Sequence, residues 1–145
     1  MMDEHNALDE LKKVDHLVFV TLKYTRTVDI IKSALEHMIT TLDTQFTNTL
    51  DALHSTGKVR DVPPAPVMRV KLLESAFPKD KELKNINDFY FSLKKIVHSE
   101  YKKKEEYRKN VALVTPEVEV NIDTLKEYVI IMKKYINYLQ DLSEL

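Results

Sequence analysis

LDELKKVDHLVFVTLKYTRTVDIIKSALEHMITTLDTQFTNTLDALH, running from Leu8 to His54, is forty-seven residues without a glycine or a proline. From Val28 onward its apolar positions recur every three or four residues: Ile31, Leu35, Met38, Leu42, Phe46, Thr49, Leu53. That period places one stripe along one side of an α-helix. Unbroken, such a helix is about 70 Å long at roughly 1.5 Å per residue. A single stripe on so long a helix requires other helices to cover it, and the rest of the chain is read as that cover.

The N-terminal side of the stretch continues the row through Leu11, Val14, Val18 and Leu22. Asp3, Glu4, Asp9 and Glu10 are favourable near the positive end of a first helix. Between Thr21 and Val28 β-branched residues accumulate, and Thr25 or Thr27 offers a cap with Asp29 in the following turn. The sequence allows one long bent helix or two helices meeting near Tyr24. The lack of glycine and proline favours the continuous form.

The lone glycine of the chain, Gly57, suits the left-handed position after a helix end. Val62-Pro63-Pro64-Ala65-Pro66 then reads as a stiff extended connection, with Pro66 as the first residue of a short helix. Its stripe is Val67, Val70, Leu73 and Phe77. Asp80 caps the next helix. Lys79 to Thr115 holds no breaker, so the spacing of Leu83, Ile86, Tyr90, Leu93, Val97, Tyr101, Tyr107, Val111 and Val114 predicts a long fourth helix. Its Tyr101–Tyr107 part is polar nearly all round and is expected to project. Thr115 to Val120 reads as extended. Asn121 caps a last helix with one row at Ile122, Leu125, Val129, Met132, Ile136, Leu139 and Leu142 and a second at Tyr128, Ile131, Tyr135 and Tyr138.

The expectation is therefore one all-α domain spanning residues 1–145, a four- or five-helix bundle with long first and fourth helices and helix over roughly 70% of the chain, well above the usual third. Two apolar rows on the last helix, and the long first helix, point to a homodimer. With 43% hydrophobic and 31% charged residues the chain reads as soluble and globular. The absence of cysteine excludes disulfides, thiolate zinc sites and a cysteine nucleophile. The longest strongly apolar run, Leu17–Val20, is far short of a membrane span, and the acidic start differs from a signal peptide. A cytoplasmic protein that does not engage membranes is expected.

The formal net charge of −1 is unevenly laid out. Residues 1–56 carry five basic and nine acidic side chains, residues 57–113 fourteen and eight, and residues 114–145 three and six. The middle third is thus basic between acidic ends. One reading packs a basic helix beside acidic ones; the other makes an anion-binding face.

No Glu is followed three residues later by His, so the di-iron bundle motif is missing, and Asp51-x-x-His54 alone does not make a metal site. His5, His16 and His37 sit beside carboxylates in sequence only. One glycine cannot build a phosphate-binding loop. No metal or other cofactor is expected. The strongest site candidate is Lys94, Lys95, Tyr101, Lys102, Lys103, Lys104, Arg108 and Lys109, with His98 between. Seven basic and three acidic side chains fall within 94–109. This segment is a candidate for RNA phosphates, with Tyr101 and Tyr107 available to stack on bases. On a helix Lys94, His98 and Tyr101 share a face, and His98 is a candidate acid or base.

The order of elements, with Glu106-Tyr107-Arg108-Lys109-Asn110, the break at Thr115-Pro116-Glu117-Val118 and the final helix from Asn121-Ile122-Asp123-Thr124-Leu125, resembles the HEPN superfamily. The resemblance implies a helical, dimeric protein. Ribonucleases of that family carry an Arg followed five to seven positions later by His. Arg108 matches the Arg, but Leu113, Val114 and Thr115 stand where the His belongs. A non-catalytic helical binding module, with RNA or a protein as partner, is the reading that follows. The alternatives are a metal-independent ribonuclease using Arg108 and His98, and a structural scaffold.

Overall fold

The computed structural model describes residues 6–145. Asp3, Glu4 and His5, considered above as helix-start and titratable residues, lie outside that range. The order of elements is α1 (Ala7–His16), a π-helical segment (Leu17–Thr21), α2 (Leu22–Tyr24), α3 (Val28–Ser55), α4 (Pro66–Ala76), α5 (Lys81–His98), β1 (Lys102–Lys104), β2 (Ala112–Val114), β3 (Glu119–Asn121) and α6 (Ile122–Leu142). Helix makes up 69% of the described residues, so a helical bundle is observed, with a small antiparallel sheet added to it.

α3 is the spine. It touches α1, α4, α5 and α6, and its row Ile31, Leu35, Met38, Leu42, Phe46 and Leu53 is buried. Phe46 meets Tyr90 of α5 edge-on, ring centroids 5.3 Å apart. Two polar residues between α3 and α6 are bonded: Gln45 Nε2 donates to Thr49 Oγ1, and Thr49 Oγ1 donates to Leu139 O at 3.0 Å. These bonds remove the cost of burying unpaired polar atoms between α3 and α6.

The local punctuation follows the sequence. Asp80 accepts from Leu83 N–H at 2.9 Å, and Asn121 accepts from Thr124 N–H at 2.8 Å. Gly57 has φ +77 after α3. Pro66 opens α4, and Arg69 bonds the carbonyls of Pro63 and Pro64 at 2.9 and 2.6 Å, holding the proline connection against the helix it feeds.

Two expectations are corrected. The long first helix is interrupted at Thr25–Thr27, where Thr25 has φ −131 and Thr27 lies extended with its hydroxyl accepting from Ile30 N–H. A hydroxyl cap needs neither glycine nor proline, so their absence was not decisive. Upstream, Leu22 N–H reaches Leu17 O, five residues back, which gives the π-helical segment.

The long fourth helix is the second correction. α5 stops at His98, and Ser99 is extended. Instead of a projecting helix, residues after Glu100 form the sheet β1-β2-β3. Lys103 pairs with Leu113, and Leu113 with Val120. Val111, Leu113 and Val120 are buried in the common core. Their burial outweighs the helix propensity of the Lys/Glu-rich 101–107 run.

Much of the apolar surface that pointed to a homodimer, at the start of the long first helix and in the tyrosine row of α6, packs within the chain. Leu11, Val14 and Val18 are buried in the core. Tyr128 and Tyr135 pack against Phe89 of α5 at 5.2 and 5.6 Å, and Tyr138 Oη donates to Asp80 at 2.6 Å.

Candidate anion-binding cleft

The segment that turns from β1 to β2 carries Glu105 (φ +49) and Tyr107 (φ +69), both non-glycine residues in the left-handed region. Such conformations persist where surrounding contacts over-determine them. Here two long-range bonds do so. Tyr107 N–H donates to Arg26 O at 2.7 Å, and Val28 N–H donates to Glu106 Oε2 at 2.7 Å. The turn is thereby stitched to the corner between α2 and α3.

Beside that stitch lies a cleft of about 560 Å³. Its first wall is the π-helical segment and the corner, with Val18, Phe19, Leu22, Lys23 and Arg26. The turn supplies Lys109 and Asn110. The start of α6 supplies Asn121, Ile122, Asp123 and Lys126. Lys23, Arg26, Lys109 and Lys126 against Asp123 leave a formal charge of +3. Among the described residues none of these four cations is in an ion pair; Lys126 Nζ stands 5.9 Å over the Phe19 ring. The first turn of α6 adds the positive end of its dipole. Phe19, 44% exposed, gives the cleft an apolar face. Chemically the arrangement can hold a multiply charged anion that carries a flat or apolar group.

Most of the basic residues singled out in the sequence are engaged elsewhere. Lys94 lies over the Tyr90 ring at 5.3 Å. Lys95 pairs with Glu117 at 2.8 Å, Lys103 with Asp29 at 3.5 Å and Glu106 at 3.9 Å, and Lys104 with Glu119 at 3.2 Å. The Asp29 charge, with Glu106 second, raises the Lys103 pKa. Tyr101 is half-buried under Lys32, whose Nζ is 5.3 Å from its ring. Lys102 and Arg108 are exposed and make no ion pair among the described residues. Of the sequence-derived set, Lys109 alone lines the cleft.

His98 ends α5 and Arg108 follows β1, so the helical face proposed for Lys94, His98 and Tyr101 is broken at Ser99. Neither His98 nor Arg108 lines the cleft. Leu113, where a motif histidine would stand, is fully buried in β2. His54 of the Asp51-x-x-His54 pair lies 3.8 Å from Asp61 and 3.3 Å from Val59 O. Among the described residues no group of three His, Cys, Asp or Glu side chains is placed to hold a metal, and no helix is long and apolar enough to cross a membrane.

Sequence reasoning missed Lys23, Arg26, Lys126 and Phe19. Their only local signal was the clustering of Lys23 and Arg26 at a helix break. No protein-family model, curated protein or solved structure matches this chain.

Proposed function

We propose that this protein is a non-catalytic binding module for single-stranded nucleic acid, with RNA as the ligand to test first. The observation that carries the reading is the convergence of Lys23, Arg26, Lys109 and Lys126, all without ion-pair partners among the described residues, on one cleft. Cations already neutralised by a neighbouring carboxylate offer little to a phosphate; unpaired ones offer a full charge. Three exposed aromatic side chains adjoin them. Phe19 lines the cleft, Tyr24 (81% exposed) lies two residues before Arg26, and Tyr107 (76% exposed) is bonded through its backbone to Arg26. Base-on-aromatic stacking beside a cationic groove is the usual physics of single-strand binding.

The non-catalytic part of the reading rests on the motif: Leu113, Val114 and Thr115 stand where its histidine belongs, and Leu113 is fully buried in β2. A HEPN-like ancestry accords with this if the motif has decayed. It is the ribonuclease chemistry, not the helical framework, that requires the missing histidine.

The test is fluorescence anisotropy with a labelled single-stranded RNA. Four phosphate contacts, each contributing a slope of about −0.7, predict a loss of roughly fifty-fold in affinity from about 50 to 200 mM salt. Affinity that is absent at low salt, or insensitive to salt, overturns the reading. Release of labelled fragments in the presence of chelator would restore the ribonuclease alternative.

A further inference from the structure

Resting on the nucleic-acid reading above, we infer that Asp123 makes the cleft selective for guanine, its carboxylate accepting from the two neighbouring N–H donors on the Watson–Crick edge of that base.

The starting point is a charge that phosphate binding does not explain. Asp123 lines the same cleft as Lys23, Arg26, Lys109 and Lys126, is exposed, and among the described residues forms an ion pair with none of them. A carboxylate there repels phosphate and weakens a purely electrostatic site. The helix does not need it as a cap either. Asn121 accepts from Thr124 N–H at 2.8 Å, and Thr124 completes the capping box. What Asp123 gives α6 is a favourable charge in its first turn. Its two oxygens remain open acceptors among the cations.

An ionised carboxylate only accepts hydrogen bonds, so it suits a ligand that brings donors. Of the four RNA bases, guanine alone sets two donors side by side on its Watson–Crick edge, N1–H and the N2 amino group. Adenine and cytosine each set an amino donor beside a ring acceptor, and uracil sets one N–H between two carbonyls. Guanine also carries the acceptors O6 and N7, which Arg and Lys side chains serve. The cleft holds four such cations, and with them Asn110, whose side chain has no hydrogen bond among the described residues. Acceptor and donors therefore stand in one cleft, as guanine requires.

Size and lining agree. At about 560 Å³ the cleft falls within the roughly 300–1,000 Å³ of ordinary small-molecule sites, room for one base with its sugar and phosphate. Phe19 offers that base an apolar wall. A single strand can turn one base out into such a site and leave its neighbours outside, where Tyr24 and Tyr107 are exposed.

The experiment measures anisotropy of labelled oligoribonucleotides on the full chain: a short oligouridylate, and the same with its central base replaced by guanine, adenine or cytosine. The guanine oligomer should bind about tenfold tighter than the others, the size expected from one further charge-assisted contact. Asp123→Ala should abolish that preference while binding the oligouridylate at least as tightly as the wild type, since a negative charge has left the cleft. Asp123→Asn, which keeps the size of the side chain and one acceptor, should reduce the preference as well. Inosine, which lacks the N2 amino group, should fall between guanine and uracil at the central position. A central 2′-deoxyguanosine should bind as guanosine does. Melting temperatures and circular dichroism of both variants separate loss of the site from loss of the fold.

Equal affinity for the four oligomers overturns this inference and leaves the nucleic-acid function standing. Binding of none of them overturns the function as well. Asp123→Ala that strengthens all four alike and keeps a guanine preference overturns the inference, because the carboxylate then only repels phosphate. So does inosine that binds as guanine does, because the N2 amino group is then not read. Loss of the preference with 2′-deoxyguanosine overturns it too, and assigns the carboxylate to the ribose hydroxyl.

Discussion

Glu106 Oε2 accepts the hydrogen bond of Val28 N–H at 2.7 Å, so a residue seventy-eight positions away caps the longest helix of the bundle. The carboxylate sits at the positive end of α3, where an anion is favoured, and Thr27 Oγ1 accepts from Ile30 N–H, another free amide of the same turn. The same residue sits between Glu105 and Tyr107, both at positive φ. One side chain therefore fixes the start of α3 and the turn that brings Lys109 to the cleft.

Glu106→Ala should destabilise the protein by about 1 kcal/mol, the usual range for removing a helix cap. It should also weaken anion binding, since the turn loses one of its two attachments. Urea denaturation measures the first effect and RNA anisotropy the second. A variant with unchanged stability would show that water replaces the carboxylate without cost.

The core is the simplest test of the fold. Leu35 and Ile136 are fully buried, one on α3 and one on α6. Leu35→Ala and Ile136→Ala should each cost about 2–5 kcal/mol, combining lost burial with the cavity left behind. Thermal or urea melts monitored by far-ultraviolet circular dichroism would show this, and a spectrum dominated by sheet would end the bundle reading.

What was legible in the sequence was local. Asn121, Asp80, Pro66 and Gly57 act through bonds or dihedrals within a few residues, so each could be read without knowing the fold. The α3 row was legible because its period of three to four runs for seven turns. The helix break at Thr25–Thr27 was legible only as one of two alternatives, because part of what stabilises it is Glu106, supplied from far along the chain. Residues 101–107 misled for the opposite reason. Lysine and glutamate favour helix locally, but sheet register with Leu113 and Val120 decided the outcome. The β1–β2 turn uses glutamate and tyrosine at positive φ, so no glycine announced it. The cleft unites Arg26 with Lys109 and Lys126, which no local pattern connects.

Tyr138 gives the alkaline side of the stability curve. Its hydroxyl is pushed up to about 12, first by the hydrogen bond to Asp80 and then by burial, from 10.0 in an unfolded chain. The folded state thus keeps a proton that the unfolded state releases. The stabilisation is complete below pH 10 and is lost as pH rises through about 12. Tyr90, raised by burial and by its bond to Asp43, and Tyr128 and Tyr135, raised by burial, act in the same direction. Urea midpoints measured from pH 8 upward should fall most steeply in this window, and Tyr138→Phe should flatten the fall. An equal slope in the variant would assign the effect to the other tyrosines.

Two double charge reversals separate the basic residues that support the fold from those that face the ligand. Lys103 neutralises Asp29 and Glu106, while Lys102 is exposed and unpaired among the described residues. Lys102→Glu with Lys103→Glu therefore places a new carboxylate against Asp29 and against the cap of α3. That variant should lose stability, though only slightly, because the pair is exposed to solvent. Lys23→Glu with Lys126→Glu acts on the cleft. Both residues are exposed and outside any ion pair among the described residues, so the melting temperature should change little. RNA affinity should fall below detection, because four cations against Asp123 become two cations against three carboxylates. The salt dependence supplies an independent check. If Lys23→Ala alone is made, the slope of log affinity against log salt should become shallower by about 0.7, one phosphate contact. A Lys23/Lys126 reversal that binds RNA as well as the wild type would remove the cleft from consideration and return the search to Lys102 and Arg108.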